Sequence, residues 1–86
     1  MYKKKVKVNF KDGLHIRPAV KLVKKSKSFL SDIYIISEEG LQVNAKSLFK
    51  LQSLGVKYND IITICANGKD EKKAVENLCE FIKNKK

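Results

Sequence analysis

Asp60-Ile61-Ile62-Thr63-Ile64-Cys65-Ala66 is apolar along nearly its whole length. A short run of this kind, rich in β-branched residues and closed by the turn pair Asn67-Gly68, reads as the central strand of a sheet. The rest of the chain must then supply its neighbours and a layer to cover it. Residues 3–10 place Val6, Val8 and Phe10 on one side, with Lys5, Lys7 and Asn9 between them. That two-residue period marks a half-buried strand. Asp32-Ile33-Tyr34-Ile35-Ile36-Ser37 is a further strand. Glu38-Glu39-Gly40 turns the chain and Leu41-Gln42-Val43-Asn44 returns, which gives a hairpin.

Three helices complete the pattern. From about residue 16 to 28, Ala19, Leu22, Val23 and Ser26 follow the i, i+3, i+4, i+7 spacing of a core-facing stripe. Pro18 falls in the first helical turn, where its missing N–H costs nothing. Residues 47–54 form a short helix stopped by Gly55, with Leu51 and Leu54 towards the core. Leu48 and Phe49 project elsewhere. Either they make an exposed apolar patch, which tends to mark a partner surface, or they pack under a neighbouring loop. Asp70 is expected to cap a last helix, with Glu71 in its first turn and Ala74, Val75, Leu78, Cys79 and Ile82 as its core stripe. Lys83, Lys85 and Lys86 close its C-terminal end, where positive charge is favoured. The order is β-α-β-β-α-β-α. The expected fold is α+β: a two-layer, four-stranded antiparallel sheet with three helices on one face.

Eighty-six residues, 43% hydrophobic and 33% charged, make one domain spanning residues 1–86. No stretch approaches the run of about 20 apolar residues that spans a bilayer, and Met1-Tyr2-Lys3-Lys4-Lys5 leads into an alternating strand rather than a signal-peptide core. A cytoplasmic protein without membrane insertion is expected. Cys65 and Cys79 fit no metal-ligand or redox spacing and read as buried reduced thiols. No metal and no cofactor is expected. The net charge of +10 attracts acidic proteins, nucleic acid or anionic surfaces without choosing among them, and composition bias alone also produces it.

Gly13-Leu14-His15-Ile16-Arg17-Pro18-Ala19 holds the only histidine, the only arginine and the only proline of the chain. Nineteen residues are Lys or Arg, and eighteen of them are Lys. Arginine is chosen over lysine where a planar fork must grip an oxyanion. Two readings stand for these residues: a site that handles an anion, or chance clustering. His15 falls at or beside the N-cap of the first helix, where free N–H groups and the positive end of the dipole favour phosphate. A neutral imidazole there can act as a nucleophile. If it attacked a phosphoryl group, Arg17 would grip the oxygens. The opposite face of the helix carries Arg17, Val20, Lys24 and Lys27; for the two lysines an ordinary solvated face explains as much. The chain has no GxxxxGK[ST] loop and no acidic cluster beside His15 to hold Mg²⁺; Asp12 is the only nearby carboxylate. Such a residue set could accept and donate a phosphoryl group but is poorly equipped to take one from ATP by itself, so under the first reading a phosphorylated donor protein and an acceptor protein are expected.

Two long stretches carry a family resemblance. Gly13–Ala19 is similar to the active-site motif, and Asn44-Ala45-Lys46-Ser47-Leu48-Phe49-Lys50-Leu51-Gln52-Ser53-Leu54-Gly55 to the second signature, of the HPr family. These are the histidine phosphocarriers of the bacterial phosphoenolpyruvate:sugar phosphotransferase system. The resemblance implies an open-faced β-sandwich. It implies a non-enzymatic carrier phosphorylated on His15 Nδ1 by enzyme I, which passes the group to IIA domains of sugar permeases. Arg17 and the backbone amides of Ile16 and Arg17 would hold the phosphoryl group. The partner surface would comprise Val20, Lys24, Lys27, Leu48, Phe49, Lys50 and Gln52. Ser47 matches a regulatory serine that a dedicated HPr kinase phosphorylates in some lineages; Leu48-Phe49-Lys50-Leu51-Gln52 resembles the variant from lineages without that kinase, and a plain capping serine is the other reading. A monomer is expected. The alternatives are a paralogue of the nitrogen-related branch and, from another class, a basic nucleic-acid-binding domain, for which no specific recognition motif is present. Three departures stand out: Asp12 where the family often has Asn, Ile16 where Ala or Thr is common, and the high positive charge.

Overall fold

The structure, a computed structural model, describes residues 1–84. Its elements in order are β1 (Tyr2–Lys7), α1 (Ile16–Lys27), β2 (Asp32–Ile36), β3 (Gln42–Asn44), α2 (Leu48–Ser53), β4 (Ile61–Asn67) and α3 (Glu71–Lys83). The expected β-α-β-β-α-β-α order is the one found. The strands form one antiparallel sheet in the order β1-β4-β2-β3. β4, the apolar run at residues 60–66, is central, as its composition requires.

Register explains which side chains are buried. Val6 pairs with Ile62, Ile33 with Ala66, and Ile35 with both Ile64 and Val43. Directly paired residues share a face, so these side chains form the floor of the core. Ala19, Leu22 and Val23 of α1, Leu51 of α2, and Ala74, Val75, Leu78, Cys79 and Ile82 of α3 close over it. Ser26 completes the buried stripe of α1, its hydroxyl without a partner among the described residues. The other face carries Lys3, Lys5, Thr63 and Tyr34. Cys65 and Cys79 are both buried and unpaired, and burial pushes the Cys79 thiol up.

Three expectations need correction. The first strand leaves the sheet at Lys7, yet Val8 and Phe10 remain buried. The chain there turns to other partners: Val8 N donates to Asp60 O at 2.8 Å and Asn9 N to Ile82 O at 3.3 Å. Leu54, half-buried, packs against the core as expected. Leu48 is not part of an exposed patch. It is half-buried and packs against the core, since i, i+3 spacing sets it beside Leu51. Phe49, on the opposite side of the helix, is 86% exposed.

The third correction concerns Asp70. It occupies the N-cap position of α3, but its side chain makes no capping bond. Its carboxylate instead accepts from Leu30 N at 2.8 Å, Ser31 N at 2.9 Å and the Ser31 hydroxyl. Asp70 thus ties the α1–β2 connection to the start of α3. Glu71 reaches back to Gly68 N at 3.1 Å and satisfies a donor at the helix start. Lys85 and Lys86 lie outside the described residues.

The Ser31 hydroxyl, then the Leu30 amide, hold the Asp70 carboxyl below its usual range. A carboxylate depressed in the folded state contributes stability that is present above its unfolded value and is lost as pH falls through the folded one. Thermal melts of the wild type should therefore decline steeply below about pH 4. Asp70→Asn should melt lower at pH 7 and show a shallower acid limb. An acid limb unchanged by the substitution would show that the clamp is not a source of pH-dependent stability.

Candidate functional site

The loop before α1 is built to present His15. Gly13 adopts φ +70°, a conformation side-chain-bearing residues rarely accept. A Cβ there would run into Val56 O and lie 2.8 Å from Lys57 Cα. Gly13 N donates to Phe10 O at 2.8 Å and Leu14 N to Val56 O at 3.0 Å. Leu14 is buried in the core and the next residue, His15, is exposed. The loop is thus pinned on one side by a glycine with no room for a methyl group and on the other by a buried leucine.

His15 is the N-cap residue of α1, with extended backbone (φ −76°, ψ −175°). Its carbonyl accepts the first helical bond, from Ala19 N at 3.0 Å. Its ring makes no capping bond. The imidazole is therefore free to meet a partner. Of the next three residues, Pro18 has no N–H, and the amides of Ile16 and Arg17 have no protein acceptor among the described residues. No acidic residue occupies the first turn of α1, so nothing there offsets the positive end of the helix dipole. An uncapped imidazole, two N–H groups without a protein acceptor and an arginine thus occur within three consecutive residues at the start of α1.

His15 and Arg17 border a cavity of about 240 Å³ whose lining is Phe10, Lys11, Asp12, His15, Arg17, Pro18, Lys21 and Phe81. The structure brings His15 and Arg17 to a common cavity, with Asp12 on its wall. Phe10 and Phe81 form its aromatic side, with ring centroids 5.4 Å apart. Lys11, Lys21 and Phe81 were missed by sequence reasoning. Lys21 was findable, being four residues after Arg17 on the same helical face. Phe81 was not, because only the tertiary packing of α3 brings it here.

The remaining predicted residues lie outside this cavity. On α1, Lys24 and Lys27 are exposed and Val20 is half-buried. On α2, which packs against α1, Phe49, Lys50 and Gln52 are exposed and Leu48 is half-buried. Ser47 is half-buried at the N-cap of α2, where its hydroxyl accepts from Lys50 N at 3.4 Å. Ile16, given only a backbone role by the sequence, presents a side chain that is 59% exposed beside His15. Among the described residues, no group of three or more His, Cys, Asp or Glu is placed to hold a metal ion, and no helix is long and apolar enough to cross a membrane.

A protein-family model described as the PTS HPr component phosphorylation site matches residues 2–84. The chain belongs to the HPr family. It is 54% identical over 82 residues to the phosphocarrier protein HPr of Buchnera aphidicola subsp. Baizongia pistaciae, covering 95% of each chain. To the phosphocarrier protein HPr of Haemophilus influenzae it is 48% identical over 82 residues, again covering 95% of each. Its fold matches the crystal structure of a phosphocarrier protein HPr from Bacillus anthracis with a TM-score of 0.90, at 37% identity, over 94% of this chain and 95% of that one. The open-faced sandwich with three helices on one side is thus the HPr architecture, and His15 begins the first helix of an HPr fold.

Because Gly13 has neither the conformation nor the space for a side chain, Gly13→Ala should cost about 1–3 kcal/mol in stability from backbone strain alone. It should also displace the His15 loop. Chemical denaturation should show the loss, and the amide resonances of residues 13–17 should shift more than those of β4. A Gly13→Ala variant of wild-type stability would contradict the close approach to Val56 and Lys57.

Proposed function

We propose that this chain is a phosphoryl carrier and not itself an enzyme: it accepts a phosphoryl group on His15 Nδ1 from phosphorylated enzyme I and passes it to IIA domains of sugar permeases. The observation that carries this reading is the exposed, uncapped His15 ring at the start of α1, beside Arg17 and the free amides of Ile16 and Arg17. The ring nitrogen lone pair attacks phosphorus as the donor's bond to phosphorus breaks. The bonding pair leaves with the donor, and a P–N bond forms on His15. The negative oxygens then lie against the helix start and the guanidinium, both of which favour an anion. Transfer onward is the same displacement with the imidazole as leaving group.

A carrier must be read by two different proteins, so its docking surface should surround the histidine. The exposed Ile16 and Phe49 provide apolar anchors. Val20, Lys24, Lys27, Lys50 and Gln52 extend that surface over α1 and α2, and the lysines suit acidic partners. Leu48 supports it from below.

Incubation with enzyme I, phosphoenolpyruvate and Mg²⁺ should give an acid-labile phosphoryl adduct on the wild type and none on His15→Ala. Lack of any adduct on the wild type would overturn the carrier reading, and an adduct that survives His15→Ala would misplace the site. Arg17→Lys should fold normally and transfer about 10–100-fold more slowly, since one point charge replaces a bidentate grip. The α2 surface has its own test. Phe49→Ala should leave stability within about 0.5 kcal/mol of wild type while weakening enzyme I binding. Leu48→Ala should lose about 1–2 kcal/mol of stability, because its side chain is half-buried against the core. The reverse pattern would contradict this division of roles.

A further inference from the structure

The cavity beside His15 has more positive charge than the carrier reading requires. Lys11 lies in the turn before the loop, Arg17 in the first turn of α1, and Lys21 one turn further along the same face. All three line the cavity that His15 lines. None of them forms an ion pair among the described residues. Lys25, the next cation along α1, is engaged elsewhere: its Nζ stands 5.3 Å from the centroid of the Phe81 ring. The single negative side chain on the cavity wall is Asp12.

A phosphoryl group on His15 would bring nearly two negative charges to this cavity. Asp12 opposes that by like-charge repulsion, so Arg17 and the helix start have to offset Asp12 as well as the phosphoryl oxygens. Residues four apart on a helix are about 5–6 Å apart at Cβ, and the lysine stem is long enough to bring its ammonium back over the preceding turn. The aromatic pair Phe10 and Phe81 walls the cavity on one side.

We infer that Lys21, which lines the cavity together with Lys11, is a second phosphoryl-positioning cation that offsets Asp12 and stabilises the phosphorylated form of the chain. The inference rests on the carrier reading and deepens it. A residue that only helps partners dock changes the rates of phosphorylation and dephosphorylation together and leaves the equilibrium alone. A residue that touches the phosphoryl group changes the equilibrium.

The test therefore measures the ratio of phosphorylated to free protein at equilibrium, with catalytic enzyme I, Mg²⁺ and a fixed phosphoenolpyruvate-to-pyruvate ratio rich in pyruvate. Lys21→Gln should lower the equilibrium constant about three- to tenfold at low ionic strength, and the difference should shrink at high salt. Lys21→Arg should restore it, Asp12→Asn should raise it, and Lys3→Gln, on the opposite face of the sheet, should leave it unchanged. An equal constant for wild type and Lys21→Gln, whatever the rates, would overturn the inference while leaving the carrier reading intact. A wild type that never becomes phosphorylated would overturn the carrier reading itself.

Discussion

The contact on which the site depends is the close approach of Gly13 and Leu14 to Val56 and Lys57. It joins the β1–α1 loop to the segment entering β4, so the start of α1 is fixed relative to the central strand. The bond from Leu14 N to Val56 O is ordinary in length, 3.0 Å. What makes it directive is its neighbours: a glycine with positive φ and no room for a Cβ on one side, and a buried leucine followed at once by an exposed histidine on the other. With Leu14 seated in the core, His15 has to face outward at the helix start. The orphan amides, the uncapped ring and Arg17 then occur together as a consequence of the backbone path, with no separate device to arrange them.

Much of this was legible in the sequence, for local reasons. The stripe Ala19, Leu22, Val23, Ser26 and the position of Pro18 place α1 and its N-cap within a residue. The nearly continuous apolar run at residues 60–66 identifies the central strand. What escaped was non-local or depended on fine angular placement. The carboxylate of Asp70 is spent on the α1–β2 connection, and nothing near it in sequence announces Ser31 as its partner. Leu48 was grouped with Phe49 because they are adjacent, although a helix puts adjacent residues on different sides. Phe81 comes from the last helix to wall the cavity beside His15, a fact only the packing of α3 on the first strand and the loop after it supplies. Residues whose roles follow from helical period are readable one by one; residues whose roles follow from which elements touch are not.

The high positive charge acquires a partial explanation from this geometry. Some lysines cover exposed helix faces near the histidine, where acidic partner surfaces would be steered to them. Lys11 and Lys21 line the cavity itself, beside the unusual Asp12. Others, such as Lys3 and Lys5 on the outer strand, protect a sheet edge from pairing with another chain. On this reading one composition would serve steering, site electrostatics and edge protection in different parts of the same small fold.

The central claim is that the chain carries phosphate on one nitrogen of one side chain. Heteronuclear NMR of the phosphorylated, ¹⁵N-labelled protein tests it most directly. The account predicts a phosphorus–nitrogen coupling at Nδ1 of His15, with the amides of Ile16 and Arg17 shifted as they turn to the phosphoryl oxygens. Coupling at Nε2, or phosphorus attached to any other residue, would contradict it.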